Sequence, residues 1–336
     1  MTLVTREIHL ASRPVGLPTQ DDFRLVEAAL PEPGPGQILV RNTVMSVDPY
    51  MRGRMNEGKS YIPPFAVGAP LEGGAVGEVI KSSDDAFAVG DMVVHDHGWR
   101  EHAVIEAARA TPIDTDRAPT SAHLGVLGMT GLTAYTGLVR VAELEPGDIV
   151  FVSGAAGAVG SAVGQIAQNL GAARVIGSAG SPEKVRYLLD ELGFDAAFDY
   201  HDGPVGKQLA EHAPDGIDVY FDNVGGEHLE GALTHMRDFG RLALCGSIAS
   251  YNDDGAIHGP RNLGLAIVRR LKLQGFIVYD NDDLADEYRA HATEWLANGR
   301  LTYQETYVDG LDHAVDALLD VFRGANLGKM LVRLAP

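Results

Sequence analysis

The residues whose types and spacing first suggest chemistry lie in Asp148-Ile-Val-Phe-Val-Ser-Gly-Ala-Ala-Gly-Ala-Val-Gly160. The apolar run reads as a buried strand, and the small residues after it as a tight turn opening a helix. That arrangement lets backbone N–H groups approach a dinucleotide pyrophosphate. The turn residues Ala155, Gly157, Ala158, Val159 and Gly160 follow the G-x-G-x-x-G pattern with Ala155 in the first glycine position. A nicotinamide or flavin cofactor is the expectation. Proteins that prefer NAD carry an Asp or Glu about 20 residues beyond the turn, where it accepts from the adenosine ribose. Here the second strand, Arg174-Val-Ile-Gly177, ends in Ser178-Ala-Gly-Ser181 without a carboxylate. Ser181 caps a helix that carries Lys184, and Tyr200 ends the next strand. Hydroxyls, an ammonium and a helix N-terminus suit a 2′-phosphate, so NADP(H) is expected rather than NAD(H). A solvated surface role for Lys184 and a strand-end core role for Tyr200 are the structural alternatives.

Other reactive residue types are sparse. The single cysteine, Cys245, excludes an internal disulfide and any zinc site built on several cysteines. It reads as a small apolar residue near a strand end, with no neighbouring His or Lys to make a thiolate. His95-Asp-His97 lacks a third nearby ligand and reads as a pair of solvated loop histidines, so no metal is expected. A formal charge of −19 over 336 residues and a pI near 4.9 argue against nucleic acid or an anionic membrane as partner. No apolar run is long enough for a membrane helix, and the N-terminus lacks a secretory pattern, so a cytoplasmic location is expected.

The elements that must position these groups fall into two textures. The first third consists of short alternating segments broken by Gly and Pro, such as Gln37-Ile-Leu-Val-Arg, Gly74-Ala-Val-Gly-Glu-Val-Ile and Asp91-Met-Val-Val-His, which suggests a small β-barrel-like domain. From about Ser121 helices and apolar strands alternate, implying right-handed βαβ units and a parallel sheet. Strands are expected at Ile149-Val152, Arg174-Gly177, Ala196-Tyr200, Asp218-Asp222, Gly240-Cys245 and Leu273-Val278. Helices are expected after Ser181, from Glu227 to Met236 and from Asp283 to Leu296. A polar loop, Asn252 to Pro260, follows the fifth strand, where such sheets border their ligand crevice. The chain then returns through a strand near Gln304-Val308, a helix from Leu311 to Arg323 and a strand Lys329-Leu334.

Several segments, in order along the chain, resemble the medium-chain dehydrogenase/reductase superfamily, and within it the zinc-independent prostaglandin reductase and leukotriene B4 12-hydroxydehydrogenase family with its bacterial curcumin-reductase-like members. They are Val47-Asp-Pro-Tyr-Met-Arg52, Gly128-Met-Thr-Gly-Leu-Thr-Ala-Tyr135, the glycine turn, Gly180-Ser-Pro-Glu-Lys-Val185, Phe221-Asp-Asn-Val-Gly-Gly226, Cys245-Gly-Ser-Ile248 with Tyr251-Asn252, and Asn326-Leu-Gly-Lys329. The resemblance implies an α/β protein: a Rossmann doubly wound parallel sheet at 124–303 for NADP, plus a GroES-like β-barrel domain built from 1–123 and 304–336, with the active site in the cleft. It implies NADPH-dependent reduction of a carbon–carbon double bond conjugated to a ketone or aldehyde. Lys184 and Tyr200 match the 2′-phosphate contacts, and Met129 and Thr130 the nicotinamide side. Asn223, Cys245, Ser247 and Asn326 match positions lining the cofactor, and Tyr251 a tyrosine at its substrate end. Where zinc-dependent relatives carry Gly-His-Glu, this chain reads Gly73-Gly74.

Without a metal, conjugate reduction asks for one or two hydrogen-bond donors on the carbonyl oxygen as it becomes an enolate. A phenol, with a pKa of about 10, stays protonated to serve. Tyr251 is the first candidate, followed by Tyr50 and Tyr279; Tyr50 as a turn anchor, Tyr279 as a sheet-edge packing residue and the cofactor's ribose hydroxyl are the alternatives. Arg52 reads either as a substrate-orienting group or as an exposed arginine in a structural pair. A quinone reductase of the same superfamily and a non-catalytic NADPH-binding protein are the competing functions. The sixth strand, Leu271 to Tyr279, is long and apolar for a sheet edge, so a homodimer joined there is expected.

Overall fold

The computed structural model describes residues 3–115, 118–253 and 259–334. It divides into two compact units, Met1–Gly125 with Glu305–Pro336, and Val126–Gln304. In the first, β1 (Val4–Leu10) and β2 (Phe23–Ala29) form an antiparallel pair. A larger sheet is built on the long β3 (Gln37–Ser46), which pairs antiparallel with β4 (Ala75–Ser82) and β6 (His102–Glu106), while β4 continues to β5 (Met92–His95) and β7 (Thr111–Pro112). Between β3 and β4 a single helical turn, α1 (Met51–Arg54), buries Met51 and Arg52. Apolar residues such as Leu10, Met45, Met51, Leu71 and Trp99 gather beneath it.

The second unit opens with α2 (Met129–Thr136) and β8 (Ile149–Val152), then α3 (Ala158–Asn169), β9 (Arg174–Ala179), α4 (Pro182–Arg186), β10 (Ala196–Asp199), α5 (Val205–His212), β11 (Ile217–Asp222), α6 (Gly226–His235), β12 (Met236–Leu244), α7 (Leu265–Val268), β13 (Lys272–Gly275) and α8 (Ala285–Ala297). All pairings are parallel, in the order β10-β9-β8-β11-β12-β13. Counted within the sheet that is 3-2-1-4-5-6, the doubly wound order whose switch point falls between β8 and β11. Strands covered on both faces read as continuous apolar runs, which is why Ile-Val-Phe-Val could be recognised as β8. On one face Phe151 stacks on Tyr220 at 5.0 Å and on Phe198 at 5.9 Å, beneath Val205 and Leu209 of α5 and Leu233 of α6. On the other, α3 approaches so closely that a Cβ at Gly164 would lie 2.0 Å from Phe194.

The chain then returns to the first unit. β14 (Glu305–Asp309) lies parallel to β15 (Lys329–Arg333), with α9 (Ala314–Phe322) between them, and β15 pairs antiparallel with β3.

Three expectations need correction. The sixth strand is short: β13 ends at Gly275, because Phe276 turns inward to meet Phe221 edge-on at 6.1 Å and the chain enters a 3-10 turn at Val278. Arg52 is buried, not exposed, and donates to the carbonyl of Gly16 at 2.9 Å and to Asn56. His95 is not solvated: it ends β5 inside the unit, bonded to Asn42 at 2.9 Å and to the His97 N–H at 3.0 Å. Of the polar loop from Asn252 to Pro260, residues 254–258 lie outside the described residues.

Candidate functional site: a dinucleotide cradle

β8 delivers the chain to the glycine turn at the sheet's switch point. Gly154 takes the left-handed conformation there, with φ +58. The tight turn that a first fingerprint glycine supplies therefore comes one residue earlier than the sequence suggested, in a Gly154-x-x-Gly157-x-x-Gly160 spacing. Ala155, expected to touch cofactor, is fully buried: its N–H donates to the Ser178 carbonyl at 2.9 Å, and a Cβ on Gly177 would come within 2.9 Å of its methyl. Its role is to seat the turn on β9. Gly160 lets α3 start against that turn, since a Cβ there would lie 2.4 Å from the Gly154 carbonyl oxygen. Gly157 is the N-cap of α3 and offers no side-chain cap, which leaves the first N–H groups of this twelve-residue helix, those of Ala158, Val159 and Gly160, for an anion. The cradle fits a pyrophosphate.

A buried hub braces the turn from the β11 side. Asp222, 2% exposed, gathers on one carboxylate oxygen the hydroxyls of Tyr220 (2.7 Å) and Ser153 (3.1 Å) and the N–H groups of Val224 (2.9 Å) and Gly225 (2.8 Å). Burial nevertheless pushes its pKa up, outweighing these donors. Ser153 in turn accepts from the Asn223 N–H at 2.9 Å, and the Asn223 carboxamide donates to the Ser153 carbonyl at 2.8 Å. Ser153, Tyr220 and Asp222 carried no role in the sequence reading. A polar residue directly after a fully apolar strand was the available signal.

At the ends of β9 and β10 the expected 2′-phosphate residues come together. Ser181 caps α4 by accepting from the Lys184 N–H at 3.3 Å. Tyr200 lies over Gly180, where a Cβ would come within 2.8 Å of its hydroxyl. Lys184 is half-buried, and that burial lowers its pKa.

Known proteins are similar to this chain over almost all of its length. A family model described as the N-terminal domain of oxidoreductase matches residues 6–113, and one described as zinc-binding dehydrogenase matches residues 158–298. The NADPH-dependent curcumin reductase of Escherichia coli is 37% identical, covering 97% of this chain and 96% of its own length. The NADP(+)-dependent 2-alkenal reductase of Nicotiana tabacum is 39% identical, covering 98% and 97%. The crystal structure of CurA from Vibrio vulnificus in complex with NADPH superposes with a TM-score of 0.94 at 39% identity, over 98% of this chain and 99% of that one. The chain belongs to the zinc-independent medium-chain dehydrogenase/reductases.

In this reductase Gly73, where the resemblance implies the counterpart of the zinc relatives' Gly-His-Glu motif, is closely packed. A Cβ on Gly73 would meet Met51 at 2.4 Å and the Trp99 indole nitrogen at 3.4 Å. Among the described residues no group of three or more His, Cys, Asp or Glu side chains is placed to hold a metal. Nor, among them, is any helix long and apolar enough to cross a membrane.

The remaining expected residues divide between the units. Tyr251 folds back over the loop after β12, where its phenol oxygen accepts from the Ser247 N–H at 3.4 Å and lies near Gly246. Burial raises its pKa, so the hydroxyl keeps its proton to donate. The Cys245 thiol is desolvated there and pushed up to about 12, which makes it inert as a nucleophile. Met129 opens α2, and its sulfur accepts from the Tyr279 hydroxyl at 3.4 Å, so Tyr279 joins the α2 end of the site although it is 53% exposed. The Thr130 hydroxyl is buried without a partner. Tyr50 and Asn326 belong to the first unit. Tyr50 is half-buried on that unit's core, and the Asn326 carboxamide donates to the Gly328 carbonyl at 2.7 Å. A buried ion pair between Asp48 and Lys329 joins their two loops, residues far apart in the chain. Both residues stand in the motif segments above, without an expected role.

Proposed function

We propose that this chain is an NADPH-dependent reductase of carbon–carbon double bonds conjugated to a ketone or aldehyde. The observation that carries the proposal is the pairing of an uncapped glycine-turn helix with a second strand that ends without a carboxylate and leads into Ser181, Lys184 and Tyr200. The curcumin reductase and 2-alkenal reductase among its relatives support the substrate class. Ala158, Val159 and Gly160 would hold the pyrophosphate, Ser181, Lys184 and Tyr200 the 2′-phosphate, and Met129, Thr130, Asn223, Cys245 and Ser247 the nicotinamide half, with Asn326 from the first unit. When bound, NADPH supplies the hydride that adds to the β-carbon.

The protein's own task is to receive the charge that moves to the carbonyl oxygen. Tyr251 is the leading donor to that oxygen, with Tyr50 and Tyr279 behind it, and a proton from water at the α-carbon completes the reduction. The balance is one hydride and one proton added to the alkene. In this reading 1–123 with 304–336 forms the GroES-like substrate domain and 124–303 the NADP domain. The edge of the parallel sheet at β13 supports a homodimer, and the charge of −19, which disfavours an anionic membrane as partner, supports a cytoplasmic location.

The deciding experiment is a NADPH-oxidation screen over linear enones, 2-alkenals and quinones, with NADH as control. Saturated ketone or aldehyde as product is expected, with Y251F slowing turnover by about tenfold through loss of one donor. Consumption of simple quinones alone, or equal use of NADH, sinks the proposal.

A further inference from the structure

One buried imidazole in the Rossmann unit has no place in the scheme above. His228 lies in the first turn of α6, 5% exposed, with its Nε2 lacking any hydrogen-bond partner. Its backbone N–H donates to the Gly225 carbonyl at 3.1 Å, which fixes the residue to the loop after β11. A buried polar atom without a partner is costly and asks for an explanation. Its neighbour supplies one. The ring of Tyr200 meets His228 edge to face, with centroids 5.2 Å apart and planes at 77°. In that arrangement an imidazole N–H can point into the phenol's π face, a weak but real partner. The ring of His201 also lies near Tyr200, with centroids 4.2 Å apart and planes tilted by 41°. Tyr200 is itself 38% exposed and ends its strand, so without lateral support its ring is free to swing toward solvent.

We propose that His228 is a specificity-determining positioning residue: its buried edge holds the Tyr200 ring so that the phenol stays over Gly180, beside Ser181 and Lys184. It thereby lets the site distinguish a 2′-phosphorylated adenosine ribose from a plain one. This rests on the NADP(H) reading above. The role belongs to α6, an element that carries no phosphate-binding residue of its own.

The test is a calorimetric measurement of the Kd for NADPH and for NADH on the purified full chain and its variants, with no turnover involved. H228A is expected to weaken NADPH by about tenfold, the loss of one well-placed phosphate hydrogen bond, while NADH changes less than about twofold. In a Y200A background H228A should leave the ratio of the two constants unchanged. If H228A does not fold, H228L, which keeps the volume but not the N–H edge, is read on the same ratio, the Kd for NADPH over that for NADH, and is expected to raise it. Parallel weakening of both cofactors, or no change in either, overturns the role of His228. A wild-type chain that binds NADH as tightly as NADPH overturns the cofactor reading itself, which separates the two failures.

Discussion

Two buried carboxylates, one in each unit, are held by opposite means. Asp48, 4% exposed, faces the ammonium of Lys329, which is equally buried and also donates to the Val47 carbonyl at 3.3 Å. Asp222 faces no cation and rests on two hydroxyls and two amide N–H groups. Each holds a loop that carries expected site residues: Tyr50 in one case, Asn223 in the other. A charge balanced by a charge fails all at once, because losing either partner strands the other in a desolvated place. A charge balanced by dipoles fails by degrees, since each donor carries part of the burden. The first unit's loop is therefore locked, and the second unit's is tuned.

The largest effect should come from D48L, which leaves the Lys329 ammonium buried alone and should cost about 3–5 kcal/mol in denaturant titrations. D48L/K329M should recover most of that loss; a double variant as unstable as the single would break the distinction.

Acid should act on both units through buried neutral imidazoles, His95, held down to about 3, and His228, held down to about 4, each chiefly by burial. Both folded values lie below the ordinary 6.5, so below that pH the unfolded chain takes up protons that the folded one refuses. Their contribution is complete above 6.5 and is lost as pH falls toward 4 for His228 and 3 for His95. H228F should make the decline of Tm with acidification shallower, by the equivalent of roughly 2–3 kcal/mol at its lower end. Asp222, with its pKa raised, works the other way, gaining stability on acidification, and an unchanged slope in H228F would contradict the assignment of the buried neutral form.

Next comes D222N, which strands no cation and should cost about 1–3 kcal/mol while weakening NADPH binding about tenfold through the Ser153 and Asn223 bonds. Y220F should cost about 1 kcal/mol. If D222N proves more damaging than D48L, the contrast between locked and tuned loops is wrong.

The smallest effects separate neighbours in the turn. G154A forces a side chain into a left-handed position and should cost about 1–2 kcal/mol and weaken NADPH. A155G, which removes only a packed methyl, should cost about 1 kcal/mol with the Kd for NADPH unchanged within about twofold.

What could be read from the sequence follows from what local pattern encodes. The first four strands of the parallel sheet and the Leu242–Leu244 end of the fifth were legible because buried strands are mostly apolar, and the cofactor turn because only small residues permit such close backbone approach. The start of the fifth at Met236 was not, since Arg237, Asp238 and the exposed Phe239 do not read as a buried strand. The end of the sixth strand was not, since Leu-Gln-Gly-Phe-Ile reads as strand until Phe276 is seen to pack on Phe221. Ala155 looked like a defect because the fingerprint register was counted from it, and a positive φ at Gly154 leaves no trace in residue type beyond the glycine itself. Arg52 and His95 were misplaced because charge and polarity predict exposure until carbonyls and an asparagine are found to receive them. His228 was invisible, since its ring partner Tyr200 lies far away in sequence, just past β10.

The pairing of β15 with β3 bears on the order in which the protein is made. Val126–Gln304 is continuous in sequence and can fold as soon as it has left the ribosome. The other unit must wait: the Val44–Ser46 end of β3 has no partner on the flank that β6 shares, and Asp48 no countercharge, until Lys329 and the residues after it are synthesised. The nascent chain thus carries its N-terminal segment unfinished through most of translation, and a pulse-proteolysis time course on stalled chains should find that segment cut long after the central one resists.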